Sequence, residues 1–200
     1  MRDRIEQIIG NTEIYKTRKD EFKTANKVPF RVSPTPFILT PDQKKEVKNI
    51  GIDIVAYFKM INELYTTNNE VREILDKGKP DLFLIQKPLK YLFIRPDIII
   101  TDEGFRICEI ETSPFGLALA EVLNKAYSQE GFETMVTEDT LSKLVQAHTP
   151  SDGRIIFSGK TESFKGQMTF LAEQVFSGNN RNWTAEKLGE ADFNLFDNCI

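Results

Sequence analysis

Val47, Ile50, Ile54, Phe58, Ile61 and Tyr65 recur at steps of 3, 4, 4, 3 and 4, the spacing that lines one face of an α-helix. Thr40-Pro41-Asp42-Gln43 opens that run with a capping box and a proline at the first helical position, so the pattern predicts an amphipathic helix over 41–65. A second helix is expected over 69–77, starting after Asn68 and ending at Gly78-Lys79-Pro80. The period then changes. Residues 91–101 read as a strand, Asp102-Glu103-Gly104 as a three-residue loop with Gly104 in the left-handed position, and 105–111 as the returning strand. In the register such a loop sets, Ile99 faces Ile107, Asp97 faces Glu109 and Arg95 faces Glu111, all six on one side of the ribbon. Pro96, Ile98, Ile100, Cys108 and Ile110, interrupted only by Arg106, form the other side, which is the expected core face.

After the hairpin, Ser113-Pro114 reads as an N-cap and first-turn proline for a helix over 115–130 that Gly131 closes. A short strand over 132–136, a helix over 138–147 and an apolar strand over 154–158 follow. Phe164, Met168, Leu171 and Val175 define one more helix, ended by Gly178. A last apolar run at 193–196 reads as a strand, as though the chain stopped mid-domain. Upstream, residues 1–27 are rich in charge, with a short helix at 2–9, and Pro29, Pro34, Pro36 and Pro41 hold the next stretch extended. The alternation places the chain in the α/β class. A Rossmann-like parallel sheet is expected from 110–200, with a helical N-terminal part and the hairpin packed beside it. Residues 1–40 form an arm and extended Pro-rich segment, and 41–200 the α/β domain.

Composition narrows the functional classes. The 200 residues are 40% hydrophobic, enough to bury a core, and 26 basic against 30 acidic side chains leave a net charge of −4. The first hundred residues hold 18 basic and 14 acidic side chains, the second hundred 8 and 16, so the chain is dipolar. No basic excess supports nucleic-acid binding, and the 15 phenylalanines are not interleaved with Lys or Arg as a base-stacking platform would require. No apolar run reaches the roughly 18 residues of a membrane span, and the N-terminus lacks a signal-like apolar stretch. Cys108 and Cys199 form no CxxC pair, which suggests a reducing, cytoplasmic setting. The single histidine, His148, has no Cys or His close in sequence and reads as an ordinary surface or core residue.

The chemistry concentrates on the hairpin. Asp97, Glu109 and Glu111 on one sheet face repel one another and need a counter-charge. A hard dication such as Mg²⁺ takes carboxylate oxygens and leaves positions for phosphate, and Arg95 suits a phosphoryl group. The competing reading is a solvated face with an Arg95–Glu111 ion pair. Two other places invite anions. Gly153 to Thr161 looks like a P-loop but has five residues between its glycines instead of four, and 154–158 are strand-like where a loop is required. A weaker version remains at 159–163, a strand end leading into a helix, where Lys160 adds charge. Ser113 is a cap first and a phosphate contact second.

Arg95-Pro96-Asp97, the twelve-position step to Glu109, and Glu109-Ile110-Glu111-Thr112-Ser113-Pro114-Phe115-Gly116 resemble the R-x-D…E-x-N-x-x-P signature of glutathionylspermidine-synthase-like, circularly permuted ATP-grasp ligases. The resemblance implies that Asp97 and Glu109 hold the Mg²⁺ of MgATP, that Arg95 assists phosphoryl transfer, and that a Rossmann-like pre-ATP-grasp region follows the hairpin. Glu111 stands where the family has an amide; it joins the metal set here as a third carboxylate. The implied activity is carboxylate–amine ligation through an acyl-phosphate, with ATP and a small carboxylate or amine as partners. The layout extends over 40–200, the specific motif over some twenty residues. The family's adenine pocket, phosphate-holding lysines and glycine-rich lid come later than the stretch matched here. The chain is therefore expected to be the N-terminal part of a longer ligase, missing its C-terminal half. Otherwise it is a degenerate, non-catalytic module that holds a partner protein through the acidic hairpin or the 29–41 surface. A small nucleotide-binding domain using Lys160 is the remaining alternative.

Overall fold

A computed structural model of the chain describes residues 1–16, 18, 22–78, 92–135, 140–157, 159–178 and 180–187. It is a mixed α/β structure that divides into two compact units. One comprises Ile38–Ser113, and the other joins Met1–Phe37 to Pro114–Ile200. Among the described residues no helix is long and apolar enough to cross a membrane.

In the 38–113 unit, helix α2 (Pro41–Thr67) starts as its sequence dictates. The Gln43 amide donates to the Thr40 hydroxyl at 3.2 Å, and the Thr40 amide donates to the Gln43 side chain at 2.9 Å. Asn68 ends α2 and caps α3 (Asn69–Asp76), its side chain accepting from the Val71 amide at 3.1 Å. The α2–α3 corner is fixed by Tyr65, which is 2% exposed and donates to Asp76 at 3.0 Å, and by Arg72, which donates to the Tyr65 and Thr66 carbonyls. Strands β1 (Arg95–Thr101) and β2 (Gly104–Glu111) pair antiparallel.

The hairpin differs from expectation near its tip. Thr101 pairs with Gly104, so the loop has two residues and not three. From there Ile100 faces Phe105, Ile99 faces Arg106 and Ile98 faces Ile107, which replaces the expected Ile99–Ile107 pair. Cys108 is then the extra residue of a β-bulge, and beyond it Asp97 faces Glu109 and Arg95 faces Glu111 as expected. The expected core side also fails. Phe105 is buried, whereas Ile100 is 52% and Ile110 37% exposed and Cys108 is exposed as well. The register, with its bulge, puts Pro96, Ile98, Ile100, Phe105, Ile107 and Ile110 on one face, yet of these only Phe105 is buried.

The tip is tied to α2 through Glu46, whose carboxylate accepts from the Phe105 amide at 2.9 Å. Gly104 has φ +108°, and a Cβ there would come within 2.7 Å of that carboxylate. Gly104→Ala is therefore expected to destabilise this unit by about 1–3 kcal/mol; thermal unfolding with an unchanged midpoint would contradict it.

The other unit builds its core from α1 (Arg2–Asn11), α4 (Leu117–Gln129) and the elements that follow. Ile5 and Ile9 of α1 are fully buried, as are Ala118 and Ala126 of α4, so the N-terminal residues belong to a core and are not a loose arm. Arg2 donates to the Val32 carbonyl at 3.0 Å, buried Glu6 accepts from the Val32 amide at 3.3 Å, and Tyr127 donates to the Ser33 carbonyl at 2.9 Å. These bonds satisfy the extended Pro-rich segment, which has no ladder partner of its own.

Helix α4 begins later than its sequence suggests. Gly116, at φ +84°, is its N-cap instead of Ser113, and the Gly116 amide donates to buried Gln167 at 3.0 Å. Helix α5 (Thr140–His148) carries exposed His148 in its last turn. Strand β3 (Asp152–Phe157) leads through a 3₁₀ turn (Gly159–Phe164), α6 (Lys165–Phe170) and a π-helical turn (Leu171–Phe176) to β4 (Asn182–Lys187). The two strands pair in parallel, from Asp152 with Asn182 to Phe157 with Lys187, and make one βαβ unit. Strand β4 was not foreseen. The strand expected over 132–136 is absent from 132–135, and the run at 193–196 lies outside the described residues. Both sheets among the described residues are thus two-stranded, short of the larger sheet expected.

Arg181 closes the βαβ unit by donating to the carbonyls of Phe176, Gln146, Thr149 and Pro150. The indole of Trp183, 2% exposed, also reaches the Pro150 carbonyl, at 3.2 Å. Lysine cannot reproduce a planar fork bridging four acceptors, so Arg181→Lys is expected to cost about 1–3 kcal/mol in chemical denaturation. An unchanged denaturation midpoint would show the fork to be dispensable.

Candidate functional site

The hairpin forms where β-branched Ile98-Ile99-Ile100-Thr101 meets a polar turn and a returning strand. Thr101 shapes the turn, its hydroxyl donating to the Gly104 carbonyl at 2.7 Å and accepting from the Glu103 amide at 3.3 Å. The Cys108 thiol at the bulge donates to the backbone carbonyl of Asp97 at 3.3 Å, on the facing strand where the register changes. That contact sits at the root of the acidic group.

Past the bulge, Asp97 and Glu109 oppose one another and Arg95 opposes Glu111, all on one face. The guanidinium of Arg95 is shared: its Nε meets Asp97 Oδ1 at 3.3 Å, and its Nη2 is paired with Glu111 Oε2. Arg95 and Glu111 are about one-third exposed, Asp97 is 46% exposed, and Glu109 is exposed with no ion pair among the described residues. Arg95 therefore contacts two of the three acids, and its single positive charge offsets one of them.

This arrangement corrects the expected metal set. Among the described residues no group of three or more His, Cys, Asp and Glu side chains is placed to hold a metal ion. Glu111 is engaged by Arg95, which gives the extra carboxylate at the amide position a partner inside the protein. Arg95 also contacts Asp97, so of the cross-strand couple Asp97 and Glu109 only Glu109 is without an ion pair among the described residues. One or two carboxylates, with water and phosphate oxygens completing the shell, are the usual protein share of a Mg²⁺-nucleotide site. The residues fit that role and not a three-carboxylate cage.

The other expected residues stand elsewhere. Ser113 follows β2 but caps no helix, and its hydroxyl has no hydrogen-bond partner among the described residues. Lys160 lies in the 3₁₀ turn after β3, in the other compact unit, and its side chain is outside the described residues. The P-loop look-alike is excluded by β3 itself, since Asp152–Phe157 forms a paired strand where a phosphate-cradling loop would have to be. Sequence reasoning missed the Cys108 bulge. The signal available was parity: a two-residue turn and the facing acids demand registers one residue apart.

The chain matches no protein-family model, no curated protein and no solved structure.

A double-mutant cycle on Arg95→Ala and Glu111→Ala is expected to give a coupling of about 0.5–1 kcal/mol, in the range of partly exposed ion pairs. The coupling should shrink at high salt. Additive single effects would mean that Arg95 does not neutralise the acids.

Proposed function

We propose that the hairpin is the metal–phosphate half of a carboxylate–amine ligase site of the permuted ATP-grasp type. The observation that supports this reading is the register: Asp97 against Glu109 and Arg95 against Glu111 on one face, restored by the bulge after a turn that would have separated them. In this reading Asp97 and Glu109 hold Mg²⁺, which when bound supplies the positive charge that screens the ATP phosphates. Arg95, held between Asp97 and Glu111, presents its guanidinium to the phosphoryl group in transit. Glu111 is then a positioning residue that aims Arg95. The substrate carboxylate attacks the γ-phosphorus with ADP as leaving group, and the acyl-phosphate passes its acyl group to an amine with release of phosphate. The strand–helix–strand order of 152–187 agrees with the start of a Rossmann-like pre-ATP-grasp sheet, and a cytoplasmic setting suits this chemistry.

A second reading, a non-catalytic module that holds a partner protein, is favoured by a different observation. Ile52 and Val55 are 57% and 45% exposed on the side of α2 away from Ile54, an open apolar face flanked along the helix by Lys48 and Lys59.

Thermal unfolding with Mg²⁺ and ATP separates the two. The ligase reading expects the wild-type chain to gain about 2.7 kcal/mol when the ligand is at one hundred times its Kd, with the gain lost in Asp97→Asn plus Glu109→Gln. Equal responses from both proteins, or none from either, would remove the ligase reading and leave the module.

A further inference from the structure

Helix α2 carries a second stripe, on the side away from the residues that build its core. Lys45, Lys48, Ile52, Val55 and Lys59 recur at steps of 3, 4, 3 and 4, the seam of a heptad repeat, and lie opposite buried Ile54 and Tyr65. Ile52, Val55 and all three lysines are exposed, and a Cβ placed on neighbouring Gly51 would meet nothing within 4 Å. Gly51 and Ala56 flank the apolar pair, so another helix could approach closely there. The neighbours of α2 in its own unit are held elsewhere on it, α3 through Tyr65 and the hairpin tip through Glu46.

The charge of this seam is one-sided. Lys45, Lys48 and Lys59 make no ion pair or hydrogen bond among the described residues. The remaining charged residues of α2 are Asp42, Lys44, Glu46, Asp53 and Glu63. Glu46 is engaged by the Phe105 amide, Asp42 and Asp53 stand about a quarter-turn round the axis from Ile52, and Glu63 lies one turn beyond Lys59, past the apolar pair. Three lysines against one acid leave the seam positive. A second copy of α2 does not match it: laid antiparallel with Ile52 against Val55 it sets Lys48 on Lys59, and laid parallel it sets each lysine on itself. A membrane surface matches poorly too, because an interfacial helix buries a broad face of large apolar side chains, and here only Ile52 and Val55 are available.

We propose that the outer face of α2 docks an amphipathic helix of a partner protein, apolar residues of that helix covering Ile52 and Val55 and acidic residues on either side of them meeting Lys48 and Lys59. The two lysines are eleven positions apart, which sets the acids of the partner about 16 Å from one another along its axis. The inference rests on the partner-holding reading of this face and supplies the chemistry of the partner. It shares no residue with the hairpin site.

The test is a fluorescence-anisotropy titration of the full chain with a rhodamine-labelled, lactam-stapled helical peptide of about three heptads, with leucine at a and d of the central heptad and glutamate at a and d of the outer two. A second peptide carries glutamine in place of glutamate. The glutamate peptide is expected to bind saturably and the glutamine peptide about fivefold more weakly, the value of two partly exposed ion pairs, with the gap closing at high salt. Ile52→Ala plus Val55→Ala should weaken both peptides by about tenfold. Its melting temperature should not fall, since both side chains are exposed and alanine suits a helix. Lys48→Glu plus Lys59→Glu should turn the preference over, toward a peptide with lysine at the acidic positions. Equal binding of the glutamate and glutamine peptides would overturn the acidic partner and leave the face a docking site, whereas no saturable binding by either would remove the partner-holding reading as well. A dimer that the double alanine change dissolves, or binding to phosphatidylserine–phosphatidylcholine vesicles that it abolishes, would overturn the proposal in favour of a second copy or a membrane.

Discussion

A two-residue turn and a row of facing acids make incompatible demands on a regular antiparallel ladder. Closing the loop between Thr101 and Gly104 and continuing without interruption would set Asp97 against Cys108 and send Glu109 to the opposite face. The bulge at Cys108 absorbs the one-residue difference, so the tip keeps its tight turn and its Glu46 tie to α2 while the root keeps Asp97 against Glu109 and Arg95 against Glu111. Every chemical property assigned to the hairpin depends on that single inserted residue.

The same register gathers Pro96, Ile98, Ile100, Phe105, Ile107 and Ile110 on one side of the ribbon and leaves Ile99 on the other, and Ile99, Ile100, Ile107 and Ile110 all remain partly open to solvent. The energetic weight of the unit falls instead on α2, with Ile54 and Tyr65 buried and the capped α2–α3 corner fixed by Arg72 and Asp76. On the hairpin itself, Arg95 does the electrostatic work. It turns a repulsive set of three carboxylates into a shared ion pair plus one unpaired acid, Glu109, which is a surface able to accept a cation without containing a preformed cage.

Local signals were legible in the sequence wherever a side chain answers to its near neighbours. The Thr40 capping box, the Asn68 stop, the turn of the hairpin and the helical run expected through Phe164, Met168, Leu171 and Val175 all rest on contacts within a few residues. What escaped depended on partners far along the chain. Strand β4 carries only a short alternation, Trp183 and Ala185, before the charged Glu186 and Lys187, and pairs in parallel with β3, where Arg154 makes a salt bridge to Glu186 at 3.0 Å. Gly116 displaces Ser113 as the cap of α4 because Gln167, from α6, takes the Gly116 amide. Of the candidate site, the pairing of Asp97 with Glu109 and the Arg95–Glu111 ion pair of the solvated-face reading could both be read from spacing, but the second contact of Arg95, with Asp97 on its own strand, was not.

The most direct measurement is the set of cross-strand backbone proton contacts in the hairpin, read from isotope-edited nuclear Overhauser spectra. The account predicts contacts between Asp97 and Glu109 at the root together with contacts between Ile99 and Arg106 near the tip, two registers within one ribbon. A single uninterrupted register, seen either as Ile99 against Ile107 or as Asp97 against Cys108, would contradict it.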